Sequence, residues 1–257
     1  VAIDRSPHAT SRLARRAIAG AALLAASLSA QTAARFHPPA VESLFSEGLY
    51  PRVGGRLGRA AGLLPFSLAE LALVAAVLAV AFIAVRTVVR AGRGLARLAP
   101  ALAAWGSNVL LLAGIGYALF LLLWGFNYAR PPLSSLADLP AVPAPASDLV
   151  DLATELVQAS NRARVGLPED ASGALHIEDA FRSVARRVRL GYASASLALP
   201  LLSGPSARPK PVVLSWLLSR IGITGIYFPF TGEPNVNTTV PDVELPFSAA
   251  HEVAHQR

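Results

Sequence analysis

Cysteine is absent from this sequence, which excludes a disulfide framework and any thiolate metal site. A metal held by this chain must therefore use His, Asp or Glu. Methionine is absent too, even at position 1, so Val1 is either a start codon read literally or a residue inside a longer chain. Charge is scarce: 15% of residues are charged against 53% hydrophobic, and the mean hydropathy is +0.48. That balance argues against a simple soluble globule, although 257 residues could hold one large or two small domains. The net charge of +7 raises nucleic acid as a partner. The arginines cluster beside apolar runs rather than along a face with interleaved aromatics, so no nucleic-acid partner is expected.

Three apolar runs occupy residues 1–130, which read as a membrane domain. Ala17 to Ala34 is uncharged and follows Arg12, Arg15 and Arg16; Phe66 to Val85 carries only Glu70; Leu98 to Ala129 is uncharged throughout. Each can cover a hydrocarbon core that needs about 20 helical residues. The expected spans are 17–34, 66–85 and 105–128, with Trp105, Trp124 and Tyr128 as interfacial aromatics. Buried core helices of a soluble protein are the alternative for the last two runs. The first could instead be a cleaved signal peptide, with Ala30-Gln31-Thr32-Ala33 as its small-residue region. Glu70 within a span invites a functional role, but an end residue near the headgroups is the plainer reading. Eight arginines (5, 12, 15, 16, 86, 90, 93 and 97) flank one side and five (35, 52, 56, 59 and 130) the other. The positive-inside rule then puts the N-terminus inside and the C-terminal half outside.

Residues 131–146 form a linker stiffened by Pro131, Pro132, Pro140, Pro143 and Pro145. A soluble α+β domain is expected over 147–257. Ser147 can cap a first helix with Asp148, Asp151 and Glu155 near its start and Leu149, Leu152, Leu156 and Val157 on one face, ending about Arg164. A second helix is read from Ile177 to Leu190, with Gly191 as its stop. Its Arg182, Arg186, Arg187 and Arg189 could touch anionic lipid or simply face water. After Ser203-Gly204-Pro205, residues 211–215 and 226–228 read as strands, and Asn235 to Val240 as another.

The chemistry sits in His251-Glu252-Val253-Ala254-His255. On a helix, residues four apart share a face, so His251 and His255 can both aim a ring nitrogen at one Zn²⁺ ion. Glu252 lies close enough to take the proton of a water whose pKa zinc lowers to roughly 7. Pro246 suits a first helical turn, and no glycine interrupts the run. A surface helix that happens to carry two histidines is the plain alternative. Zinc in catalytic sites usually takes three protein ligands, and the motif helix stops where it should continue, so the domain is expected to be truncated at its C-terminus. A strand beside such a helix can hold an extended peptide by main-chain pairing; an ordinary small sheet fits equally well. Tyr227, Glu233, Asn235 and Asn237 are the candidate lining of that groove, with polar turn chemistry as the alternative for the last three.

Three stretches carry a family likeness: Trp124-Gly125-Phe126-Asn127-Tyr128-Ala129-Arg130; Gly222 through Asn237; and Leu245-Pro246-Phe247 leading into His251–Gln256. In this order, after three apolar runs, they resemble the bacterial domain-of-unknown-function family 3810 over nearly the whole chain. The resemblance implies a multi-pass protein of the bacterial inner membrane with a zincin-like C-terminal domain. It implies zinc on His251 and His255, with Glu252 as general base. Members continue past the motif with an acidic segment in which a glutamate is the expected third ligand, and residues 1–257 hold no counterpart.

Two functions follow. One is a membrane-anchored zinc metallopeptidase acting on a peptide or protein substrate from the lipid bilayer. The other is a non-catalytic membrane protein whose C-terminal domain serves binding, assembly or signalling.

Overall fold

The computed structural model describes residues 7–91, 98–139, 142–204 and 207–256. Arg5, Arg93 and Arg97 of the arginine tally, Pro140 of the linker, Pro205 and Arg257 lie outside the described residues. Among the described residues the chain is mostly helical, with three helices long and apolar enough to span a membrane and one small sheet. It divides into two compact units, one of residues 1–130 with 228–233, the other of residues 131–227 with 234–257.

In the first unit the apolar runs become helices α1 (Pro7–Arg35), α4 (Leu68–Ala91) and α5 (Leu98–Leu123). Their spanning segments are Ser11–Arg35, Leu68–Val89 and Ala99–Leu123. The third starts before the expected Trp105 and ends before Tyr128, because Trp124 leaves helical geometry and Gly125–Ala129 forms a 3₁₀ turn. Glu70 falls in the first turn of α4, as an end residue does. Helices α1 and α5 run parallel, since their contacts climb together. Arg16 Nη1 donates to Asn108 Oδ1 at 3.0 Å, and Tyr117 Oη donates to Gln31 Oε1 at 2.6 Å. Between these, a Cβ on Gly20 would meet the Leu110 carbonyl oxygen at 2.6 Å, and one on Gly114 the Gly20 oxygen at 2.6 Å. Only glycine lets two backbones approach so closely, the small-residue logic of helix packing in lipid.

The segment between the first two spans is helical. After the short α2 (Pro38–Ala40), Val41–Leu49 winds as a π-helix, with Tyr50 N–H bonded to the Phe45 oxygen five residues back; α3 (Tyr50–Gly62) follows. Val41, Phe45, Tyr50 and Ala129 form a core with Ala34, Trp124 and Phe126. The Trp124–Arg130 stretch closes that core. Phe126 meets Phe45 edge-on at 5.4 Å, Asn127 Oδ1 accepts from Ser46 Oγ at 2.8 Å, and Arg130 grips Glu42 through both carboxylate oxygens at 2.6 and 2.5 Å.

The second unit begins after Arg130 and contains α6 (Leu133–Leu136), α7 (Ala146–Arg164) and α8 (Ala180–Ala198). Ser147 is not the cap of α7: Pro145 holds the extended N-cap position, and the Ser147 hydroxyl reaches only Asp148. Gly191 is no stop either. Helix α8 runs through it to Ala198, because Tyr192 in the next position donates to the Ala250 carbonyl at 2.8 Å. That tertiary anchor outweighs the roughly 1 kcal/mol that an interior glycine costs. The expected strand at 211–215 shrinks to β1 (Lys210–Pro211), since Ser215 Oγ bonds back to the Val212 carbonyl and opens α9 (Ser215–Arg220). Strands β2 (Gly225–Phe228) and β3 (Glu233–Val236) complete a sheet of order β1-β3-β2, with β1 and β3 parallel in the register Lys210–Asn235. Neighbouring strands joined by four residues must be antiparallel, so β2 and β3 form a hairpin with β2 at the edge. The expected return strand at 235–240 thus lies earlier and ends at Val236. The motif helix α10 (Leu245–Ala254) buries Leu245, Ala249 and Val253 against Val184 and Val188 of α8 and Val236 of β3.

Candidate functional site

Helix α10 is built so that its apolar side fixes its polar side. Pro246 sits in the first turn, Leu245, Ala249 and Val253 are buried at helical spacing, and the remaining face carries His251. The α-helix ends at Ala254, with His255 in the C-cap position (φ −59°, ψ −13°). These dihedrals remain right-handed helical, so the four-residue spacing of His251 and His255 still puts them on one face. Gln256 secures the end: its Oε1 accepts from the Ala207 N–H at 2.5 Å, and the residue is buried.

His251, Glu252 and His255 each offer a donor atom, and these atoms lie within 4.8 Å of one another. The two imidazole rings stand perpendicular with centroids 4.9 Å apart. Phe247 lies 5.9 Å from His251, one turn earlier on the helix, and Tyr227 of β2 stacks on His255 at 6.0 Å and 26°. His251 is exposed, His255 half-buried, and Glu252 buried. Burial, with nearby His251 adding to it, holds the His255 pKa below its ordinary value. The neutral imidazole, the form that binds a metal, is favoured as a result. Burial pushes the Glu252 carboxyl up to about 7, partly offset by a hydrogen bond from the Tyr227 backbone N–H. A carboxyl in that range can accept and return a proton near neutral pH. Two imidazoles at a 2.0–2.1 Å bond length can sit at most about 4 Å apart around one zinc. Against that limit, the three donor atoms here lie within 4.8 Å of one another.

Of the four residues expected along a groove, Tyr227 lies against the motif, touching both His255 and Glu252. Asn237 is wholly buried and acts as a staple. Its Nδ2 donates to Ser219 Oγ and the Ile223 carbonyl, while its Oδ1 accepts from the Thr239 N–H and hydroxyl. Asn235 is buried on β3 opposite Lys210. Glu233 belongs with the first unit. Its carboxylate accepts from Leu68 N–H at 3.1 Å, Ala69 N–H at 2.9 Å and Thr231 Oγ1 at 2.8 Å, at the start of α4. Sequence reasoning missed Gly225, where a Cβ would fall 2.5 Å from Glu252 Cγ. A glycine opening a strand two residues before an aromatic was the available signal. A cavity of about 130 Å³ bounded by Ile177, Val184, Arg187, Val188 and Pro246 contains none of the motif residues.

The family model described as "Protein of unknown function (DUF3810)" matches residues 45–257. The chain belongs to this family. The DUF3810 match takes in α4, α5, the sheet and α10 and begins after α1. No curated protein and no solved structure matches this DUF3810 chain.

Proposed function

We propose that this protein is a membrane-anchored zinc metallopeptidase with a zincin-like site on α10. The observation that carries the reading is the convergence of His251, Glu252 and His255 donor atoms within 4.8 Å. His251 and His255 would hold the metal, each through one ring nitrogen. A zinc ion bound there supplies Lewis acidity toward a peptide carbonyl and brings the pKa of water near 7. Glu252 holds the proton removed from the attacking water on its carboxylate and delivers it to the departing amine. Its burial keeps that carboxyl protonatable near neutral pH. The edge position of β2 leaves a main-chain rim that suits an extended peptide or protein substrate. Three helices long and apolar enough to cross a membrane support the membrane anchor; the bacterial inner membrane as its location, with the C-terminal half on the outer side, is part of the proposal and draws on the family resemblance and the arginine bias.

The test is metal content and hydrolysis of an unfolded protein such as casein by the detergent-purified chain. Glu252→Gln is expected to keep stoichiometric zinc and lose hydrolysis, and His251→Ala to lose the metal. Hydrolysis surviving in Glu252→Gln, or wild-type protein free of zinc after zinc loading, would overturn the proposal and favour a non-catalytic binding role.

A further inference from the structure

Strand β2 meets the motif at two points within three residues. The Tyr227 N–H donates to the Glu252 carboxyl, and the Tyr227 ring lies at 6.0 Å and 26° on His255. Two residues earlier, the space a side chain would occupy at Gly225 is filled by Glu252 itself. An added Cβ would stand 2.5 Å from Cγ, 2.8 Å from Oε1 and 2.9 Å from Cδ. Successive side chains alternate across a strand, so Gly225 and Tyr227 present the same side of β2. One residue removes bulk where the carboxyl must sit; the other supplies a backbone donor to that carboxyl and a ring to His255.

We infer that Gly225 and Tyr227 are positioning residues, through which β2 sets the Glu252 carboxyl and the His255 imidazole before a metal arrives. An imidazole at a helix end can turn about its Cβ–Cγ bond, and zinc must select one orientation. A ring stacked on it reduces that freedom in advance, and partners that orient a ligand are worth 10–100-fold in metal affinity. His251, by contrast, has Phe247 of its own helix beside it, so the two ligands are oriented by different elements. The carboxyl arm is set through the backbone. A tyrosine side chain is not needed for it, but the empty Gly225 Cα face is.

This inference rests on the metallopeptidase reading, and two measurements separate their failures. The first is zinc titration of the metal-free, detergent-purified chain. Tyr227→Ala is expected to weaken zinc affinity by about tenfold or more, with Tyr227→Phe close to wild type because the ring and not the hydroxyl makes the contact. Equal loss in both variants, or none in Tyr227→Ala, would overturn the ring's role. The second is hydrogen exchange at the Tyr227 amide, which needs no metal. Glu252→Ala and Gly225→Ala are both expected to speed that exchange at least tenfold by removing or displacing the acceptor. Unchanged exchange in Glu252→Ala, which carries no new bulk, would overturn the carboxyl's placement even where Gly225→Ala folds poorly. Wild-type protein that takes up no zinc while the exchange result holds would sink the peptidase reading and leave the clamp standing.

Discussion

The start of α4 offers a sharp energetic test, because three orphan donors of this long apolar helix are met there by two side chains. A helix leaves its first four N–H groups without intrahelical partners. In α4 the Leu68 and Ala69 N–H groups go to Glu233 and the Glu70 N–H goes to Ser67 Oγ at 3.0 Å, while the Leu71 N–H makes the first intrahelical bond, to the Ser67 carbonyl at 3.2 Å. Glu233 is 1% exposed, and its donors are half-buried. Glu233→Ala therefore strands two N–H groups and the Thr231 hydroxyl. At about 1–1.5 kcal/mol for each helix donor left unpaired, the loss is about 3 kcal/mol. Glu233→Gln keeps one acceptor oxygen and turns an amide N–H₂ toward a second donor, so about half that loss or more is expected. Ser67→Ala loses a single cap bond and should cost about 1 kcal/mol. Thermal or denaturant unfolding in mild detergent, followed by tryptophan fluorescence, ranks the three. A Glu233→Ala protein within about 0.5 kcal/mol of wild type would refute the capping argument. So would a Ser67→Ala cost exceeding that of Glu233→Ala.

Other consequences are as direct. Gly114→Leu drives a side chain into the Gly20 backbone, which a Cβ alone would meet at 2.6 Å; α1 and α5 must separate, and proteolysis of α1 in detergent should rise markedly over a Gly116→Leu control, whose Cβ meets nothing within 4 Å. Arg130→Ala leaves the Glu42 carboxylate partly buried without its bidentate partner, an expected cost of about 2–3 kcal/mol by denaturant midpoint, with Glu42→Gln costing less because it strands no anion. Glu252 titrates at about 7 in the folded, metal-free protein against a usual 4.5, so the folded state binds more protons between those values and wild-type stability falls as pH rises through that window. Glu252→Gln abolishes this slope: it should match wild type near pH 4 and exceed it by up to about 3 kcal/mol above pH 7, and parallel stability–pH curves would count against the raised value.

What could be read from the sequence was what local pattern controls. Uncharged runs gave the three long helices, and four-residue spacing placed His251 and His255 on one face. The β-branched and aromatic residues at 226–228 marked the strand that meets them. What could not be read was settled by distant partners. Gly191 signals a stop by itself, and only the Tyr192–Ala250 bond, 58 residues apart in sequence, carries the helix past it. Glu233 looks like a turn residue or a groove residue until Leu68 and Ala69, some 165 positions earlier, turn out to be its donors. The π-helix at Val41–Leu49 has no periodic signature of its own. It is held by Phe45 and Tyr50 burying into a core shared with Ala129. Gly225 matters for what it lacks, and only the Glu252 side chain lying against it shows why.

The assignment of residues 228–233 to the first unit, while the chain on either side belongs to the second, bears on how such a protein can be inherited or cut. A recombination event or a protease acting once near Arg130 would yield a C-terminal piece still carrying Glu233, but without the α4 donors that the carboxylate serves. The N-terminal piece would start its second long helix with two of its four leading amides unmet. Neither half is a self-sufficient cassette. Moving residues 1–130 onto another C-terminal unit, or residues 131–257 onto another N-terminal one, would require two exchanges rather than one, the second within residues 228–233.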